Sequence, residues 1–199
     1  MGKGRLEAFS DGVLAIIITI MVLEIKVPHD GSLAALKPML PVFLSYILSF
    51  IYIGIYWNNH HHMFQLVKQV NGNVLWRNIH LLFWLSLVPF ATGWMGENHF
   101  SLWPVVVYGI VLLMCAIAYT FLVFSIIKVH GKNSLFAKAI GKDTKGKVSM
   151  ALYIIGIPLA FVHSWLALTM YIIVAAIWFI PDRRIEKKLL DDNAADAMK

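Results

Sequence analysis

The chain has 199 residues, of which 59% are hydrophobic and only 14% charged, with a mean hydropathy of +0.72. Soluble domains carry roughly 25% charged residues, so this composition excludes an ordinary soluble fold and points to an all-α, polytopic membrane protein. The net charge of +6 does not indicate a nucleic-acid partner, because the lysines are segregated between apolar runs and no recognition motif accompanies them.

Residues 5–26 read RLEAFSDGVLAIIITIMVLEIK, and within them 13–23 are uncharged and apolar except for Thr19. The pattern stays compatible with a helix from 6 to 27, close to the ~20 residues that a bilayer span needs. A secretory signal would order basic residues, a short apolar core and a small-residue cleavage site. Here Glu7 and Asp11 sit near the start, and Glu24, Lys26 and Pro28 stand where cleavage would fall. The run is therefore expected to stay in the chain as a transmembrane helix.

Pro28, His29, Asp30 and Gly31 form a turn cluster, and the second apolar run, 38–57, ends in Asn58, Asn59, His60, His61 and His62. Span two is expected over about 40–61. After a polar stretch at 66–73, a third run extends over 74–94 with Arg77, Asn78 and His80 in its first two turns, closed by Glu97, Asn98 and His99. A fourth run, 103–127, contains the lone Cys115, a small core residue with no partner for an intrachain disulfide. A basic connector follows, with Lys128, Lys132, Lys138, Lys142, Lys145 and Lys147.

Residues 149–180 would make one helix of about 48 Å, too long for a ~30 Å hydrocarbon core. Both flanks are basic, Lys142 to Lys147 before it and Arg183, Arg184, Lys187 and Lys188 after it. If both flanks are cytoplasmic the segment must turn back, and a hairpin near His163 and Ser164 is expected. Six spans result. With the N terminus inside, all of the 17 Lys and Arg residues except Lys26 and Lys37 are cytoplasmic. The expectation is a cell-membrane protein with N and C termini in the cytoplasm, a six-helix domain over 1–181 and a charged tail over 182–199.

At 100° per residue, Ile16, Thr19 and Leu23 fall within about 60° of one another on the first helix, with Asp11 on roughly the opposite side. Spacing alone also fits ordinary lipid or core contacts for Ile16 and Leu23, and a Thr19 hydroxyl bonded back to its own helix. Ionised groups in a span are costly unless paired or hydrated. Arg5, Glu7 and Asp11 share a membrane level with His60 and His61 at the end of span two and with Arg77, Asn78 and His80 at the start of span three. One network tying three helices fits this placement, and so do separate groups resting among lipid headgroups.

The motif Arg5-x-x-x-Phe9-Ser10-Asp11, followed by Gly12 and the Ile16, Thr19 and Leu23 face, resembles the signature of the transmembrane protein 175 family. These are the endosomal and lysosomal potassium channels and their prokaryotic relatives. Tyr56 and Trp57 with His60 and His61, and Asn78 leading to Pro89 and Phe90, are similar to further family positions. The resemblance implies a six-helix repeat, present once in prokaryotic members, that assembles as a homotetramer around a central pore lined by the first helices. It implies a potassium channel with modest preference over sodium, needing no cofactor, with membrane lipid and its own copies as partners. On this resemblance Ile16 matches the apolar constriction, Thr19 the hydroxyl layer linked to selectivity, and Leu23 a further apolar layer towards the outside. Arg5, Phe9, Ser10 and Asp11 match the polar network that holds the first helix, with Trp57, His60 or His61, and Asn78 as contributors. No Thr-Val-Gly-Tyr-Gly loop occurs, so the carbonyl cage of ordinary potassium channels is absent.

Three rival readings fit less well. Adjacent helical residues diverge by about 100°, so His60, His61 and His62 cannot converge on one metal ion while the helix persists. A proton- or ion-coupled secondary transporter, the main alternative, would show paired repeats and broken helices near the midplane, whereas the charges here cluster at membrane edges. An enzyme lacks support, since no nucleophile motif, paired carboxylates or phosphate loop occurs.

Overall fold

Each apolar run has to satisfy its backbone hydrogen bonds internally in lipid, and helices are the simplest answer. A computed structural model of the chain describes residues 2–141 and 143–179, in which every regular element is a helix. The tail expected over 182–199, together with Lys142, Arg183, Arg184, Lys187 and Lys188, lies outside the described residues.

Helix α1 covers Lys3–Leu23. At the following turn the Asp30 carboxylate accepts from the Ser32 amide at 3.0 Å and the Ser32 hydroxyl at 2.7 Å. These bonds hold its pKa below the ordinary carboxylate value, the hydroxyl contributing most. A short 3-10 segment, Leu33–Met39, then leads into α2, Leu40–Gln65, which starts with Pro41 where its missing N–H costs nothing. The helix runs past the expected end of span two and carries all three histidines, His60 to His62, in its last turns.

The third run, expected as one helix, is two: α3 over Gly72–Ser86 and α4 over Val88–Glu97. Pro89 causes the break, because it has no N–H to donate and its ring crowds the carbonyl four residues earlier. Asn71 caps α3 by accepting from the Val74 amide at 3.0 Å. Helix α5 spans Leu102–His130 and ends at Gly131, whose φ of 86° suits glycine. The basic connector contains a short helix, α6, over Leu135–Ile140. Helix α7, Thr144–Leu159, is capped by Asp143, and α8 covers Ser164–Phe179. The chain turns between Ala160 and His163, so the expected hairpin is present and α7 packs against α8.

Helix α5 is the centre of the bundle. Its residues Val105, Tyr108, Leu112, Cys115, Ala118, Leu122 and Ile126 are buried at three- and four-residue spacing, and it touches α3, α4, α7 and α8. Small residues permit the closest approaches: Gly109 of α5 faces the Tyr171 ring of α8, where any Cβ would collide. Helix α1 packs against α2, α3 and α4 and adds Leu6, Leu14, Ile17 and Met21 to the core. Among the described residues, four helical stretches are long and apolar enough to cross a membrane: Lys3–Leu23, Leu33–Gln65, Gly72–Glu97 and Leu102–His130. The hairpin adds two 16-residue helices of about 24 Å each.

Candidate functional site: the two faces of the first helix

Leu6, Ser10, Leu14, Ile17 and Met21 form the buried stripe of α1, at spacings of four, four, three and four residues. Val13 and Ile18 are half-buried at its edges. Phe9, Gly12, Ile16, Thr19 and Leu23 are all exposed, Ile16 to 58% and Leu23 to 80%. The sequence-predicted face of Ile16, Thr19 and Leu23 is thus the side of α1 that its own bundle leaves uncovered. The Thr19 hydroxyl donates to the Ile16 carbonyl at 2.9 Å, bonding back to its own helix. That spends its proton, and the oxygen's free lone pairs remain for a cation or a water.

The buried face is fixed by a chain of hydrogen bonds across three helices. Ser10 of α1 donates to the Leu6 carbonyl at 2.8 Å and accepts from Asn78 Nδ2 of α3 at 2.9 Å. Asn78 Oδ1 then faces His60 Nε2 of α2 at 2.8 Å. Since the Asn78 amide nitrogen is donating to Ser10, its oxygen must accept, and His60 therefore carries its proton on Nε2. All three side chains are buried, at 0, 2 and 3% exposure for Ser10, Asn78 and His60. His60, not His61, joins this chain.

His61 belongs to a second, more exposed cluster. Trp57 Nε1 donates to Asp11 Oδ1 at 3.0 Å, and the Trp57 ring stacks on His61 with centroids 5.9 Å apart. His61 Nε2 accepts from Gln65 at 3.0 Å, while Gln65 Oε1 lies 3.4 Å from His62 Nδ1. The three histidines face different partners. Asp11 lies one helical step, about 100°, from Ser10, on the flank between the two faces and not opposite the Thr19 face. Arg5 and Phe9 are exposed, and Arg5 makes no ion pair with the described residues.

At the other end of α1, Lys26 pairs with Glu97 at 2.7 Å, and this contact raises the Lys26 pKa, first through the hydrogen bond and then through the charge. Glu97 also lines an open cleft of about 650 Å³ between α1, α2 and α4, together with Ile16, Ile20, Tyr46, Phe90 and Trp94.

Sequence reasoning missed a buried ladder of hydroxyls. Tyr108 and Thr92 lie 2.9 and 2.6 Å from Ser49, and Thr92 spends its own proton on the Val88 carbonyl. Nearby, Tyr153 donates to Tyr52 at 3.2 Å, which donates to the Tyr171 carbonyl at 2.6 Å. The signal was present on α2, where Ser45, Ser49, Tyr52, Tyr56 and His60 recur at three- and four-residue spacing along one stripe.

Comparison with known proteins gives consistent likenesses. The family profile described as endosomal/lysosomal potassium channel TMEM175 matches residues 5–89. A potassium channel of Chryseobacterium sp. (strain P1-3) is 59% identical over 192 residues, covering 96% of this chain and 100% of that one. A lysosomal potassium-selective channel TMEM175 homolog from Chamaesiphon minutus, solved by crystallography, superposes with a TM-score of 0.78 at 31% identity, covering 90% of this chain and 97% of its own. The endosomal/lysosomal proton channel TMEM175 of Gallus gallus is 30% identical over 160 residues, 72% of this chain and 32% of that longer protein.

Proposed function

Because this chain belongs to the endosomal/lysosomal potassium channel TMEM175 family, a family of channels and not of enzymes, we propose that it is a passive potassium channel with modest preference over sodium. Four copies surround a central pore lined by α1. The observation that carries this reading is the open face of α1, on which Ile16, Thr19 and Leu23 stand exposed while the opposite face is tied down by Ser10, Asn78 and His60.

An apolar helix with an exposed side can rest against lipid or against copies of itself. Facing three copies, rings of Ile16 and Leu23 form apolar constrictions that gate by dewetting, and a ring of Thr19 oxygens replaces part of the water around a weakly hydrated cation. Ser10, Asn78 and His60, with the Asp11 and Trp57 bond beside them, hold α1 in register. Arg5 and Phe9 lie at the cytoplasmic mouth. In this reading α1, α2, the α3–α4 pair, α5, α7 and α8 are six spans of one domain over 1–181 in the cell membrane, both termini are cytoplasmic, 182–199 is a tail, and no cofactor is needed.

The test is cysteine modification on a background with Cys115 replaced. In reconstituted tetramers, Ile16→Cys, Thr19→Cys and Leu23→Cys should each become sensitive to a water-soluble thiol reagent that reduces current, whereas Leu14→Cys should not. Modification of Leu14→Cys alone, or a complex other than four copies by native mass spectrometry, would sink the arrangement. Since the Gallus gallus relative is named a proton channel, the same recordings include a pH gradient.

A further inference from the structure

The geometry points to a binding site for an anionic phospholipid headgroup on the outer face of the bundle, where the N-terminal end of α3 meets the C-terminal end of α5. Arg77 of α3 is exposed, and its guanidinium lies 5.0 Å from the centroid of the Phe121 ring of α5. That contact holds the planar fork against the ring and leaves its N–H edge available for two oxygens of one phosphate.

An arginine in a span is costly unless it is paired or hydrated, and no carboxylate of the described residues pairs with Arg77. Between Asp30 and Asp143 the sequence contains a single acidic residue, Glu97, and Glu97 is paired with Lys26 at the opposite end of the spans. Asp143 caps α7 through the Gly146 amide, and Asp11 is held by Trp57.

Further features place a headgroup there. Lys128, exposed, lies two turns after Phe121 on nearly the same side of α5, about 10 Å nearer the helix end. That end sits level with the α2–α3 loop, since the amides of Lys68 and Gln69 donate to His130 Nε2 at 3.2 and 3.3 Å. The edge therefore presents Arg77 and Lys128 with Lys68 and Lys132 nearby, and no acid among them. Exposed Trp76 and Phe124 flank it, residues suited to the glycerol and upper acyl region. Beside the same Phe121 ring, His80 accepts from Trp84 through Nε2, so its Nδ1 carries a proton, buried and without a partner among the described residues. This site lies on a different helix pair from the proposed pore face and goes beyond the channel reading.

The experiment is native mass spectrometry of the intact protein released from nanodiscs of equal phosphatidylglycerol and phosphatidylcholine. The wild-type chain should retain phosphatidylglycerol preferentially. Arg77→Gln and Lys128→Gln should each weaken that preference about fivefold, the effect of removing one cation near an anionic surface. Arg77→Lys should keep part of it, and Lys37→Gln, a cation at the other end of α2, should leave it intact. Millimolar inorganic phosphate should not displace the lipid. Wild-type retention in both glutamine variants would overturn the site. Displacement by inorganic phosphate would make it a free-anion site instead, and a changed copy number with unchanged lipid would make it a contact between copies.

Discussion

Asn78 and Ser10 lie 68 residues apart in the chain, yet the Asn78 amide donates to the Ser10 hydroxyl at 2.9 Å across the buried contact of α3 with α1. Asn78 also receives the His60 proton, so one side chain satisfies partners on both neighbouring helices. In a membrane no hydrophobic effect drives helices together, and such bonds with close packing set the geometry. Asn78→Ala strands two buried polar groups and should cost about 1–3 kcal/mol, less where the groups find new partners. Thermal unfolding in detergent checks this. A double-mutant cycle with Ser10→Ala should show coupling, and strictly additive losses would contradict a direct bond.

Thr19 offers its oxygen and not its proton to the open face of α1. Thr19→Ala should therefore shift the reversal potential in mixed potassium and sodium towards no preference, whereas Thr19→Ser should retain most of it. Reversal potentials unchanged by Thr19→Ala would remove Thr19 from selectivity.

Ile16 is exposed to 58% on that face. An apolar ring restrains conduction by excluding water, so a polar side chain there should wet it. Ile16→Asn should raise the current carried by several cations and lower discrimination. An unchanged or smaller sodium current would oppose the constriction.

The reach of the sequence follows the range of the interactions. The two faces of α1 are legible because a 3.6-residue period repeats over six turns, and Ser10 and Thr19 fall on opposite sides of it. Pro89 announces a helix break, but the apolar run continues through it and hides the boundary at Leu87. The choice between His60 and His61 is not legible, since neighbouring residues differ only by a rotation of about 100°, and it is decided by where α3 lies. The Lys26 and Glu97 pair joins positions 71 residues apart with no local signal. The hydroxyl ladder of Ser49, Thr92 and Tyr108 draws on three helices, and only the stripe on α2 could be read in advance.

The loop end of α1 should respond to pH only at the extremes. Glu97 raises the Lys26 pKa above its ordinary 10.5, so while Glu97 is ionised the pair's contribution holds up to 10.5 and is lost as pH climbs through the raised value. Ser32 lowers the Asp30 pKa below its ordinary 3.8, so that turn's contribution is complete above 3.8 and is lost as pH falls through the lowered value. Both groups are exposed, and the stabilisation is small. Glu97→Gln should move the Lys26 titration, followed by nitrogen NMR of its ammonium, to lower pH; an unmoved titration would contradict the pair.

On the proposed function this chain forms a potassium-preferring pore. The most direct test is the reversal potential of the purified protein in planar bilayers under opposed potassium and sodium gradients. Channel-sized current with a reversal potential displaced towards that of potassium is the predicted result. An intact tetramer that carries no current, or one whose reversal potential follows sodium, would contradict it.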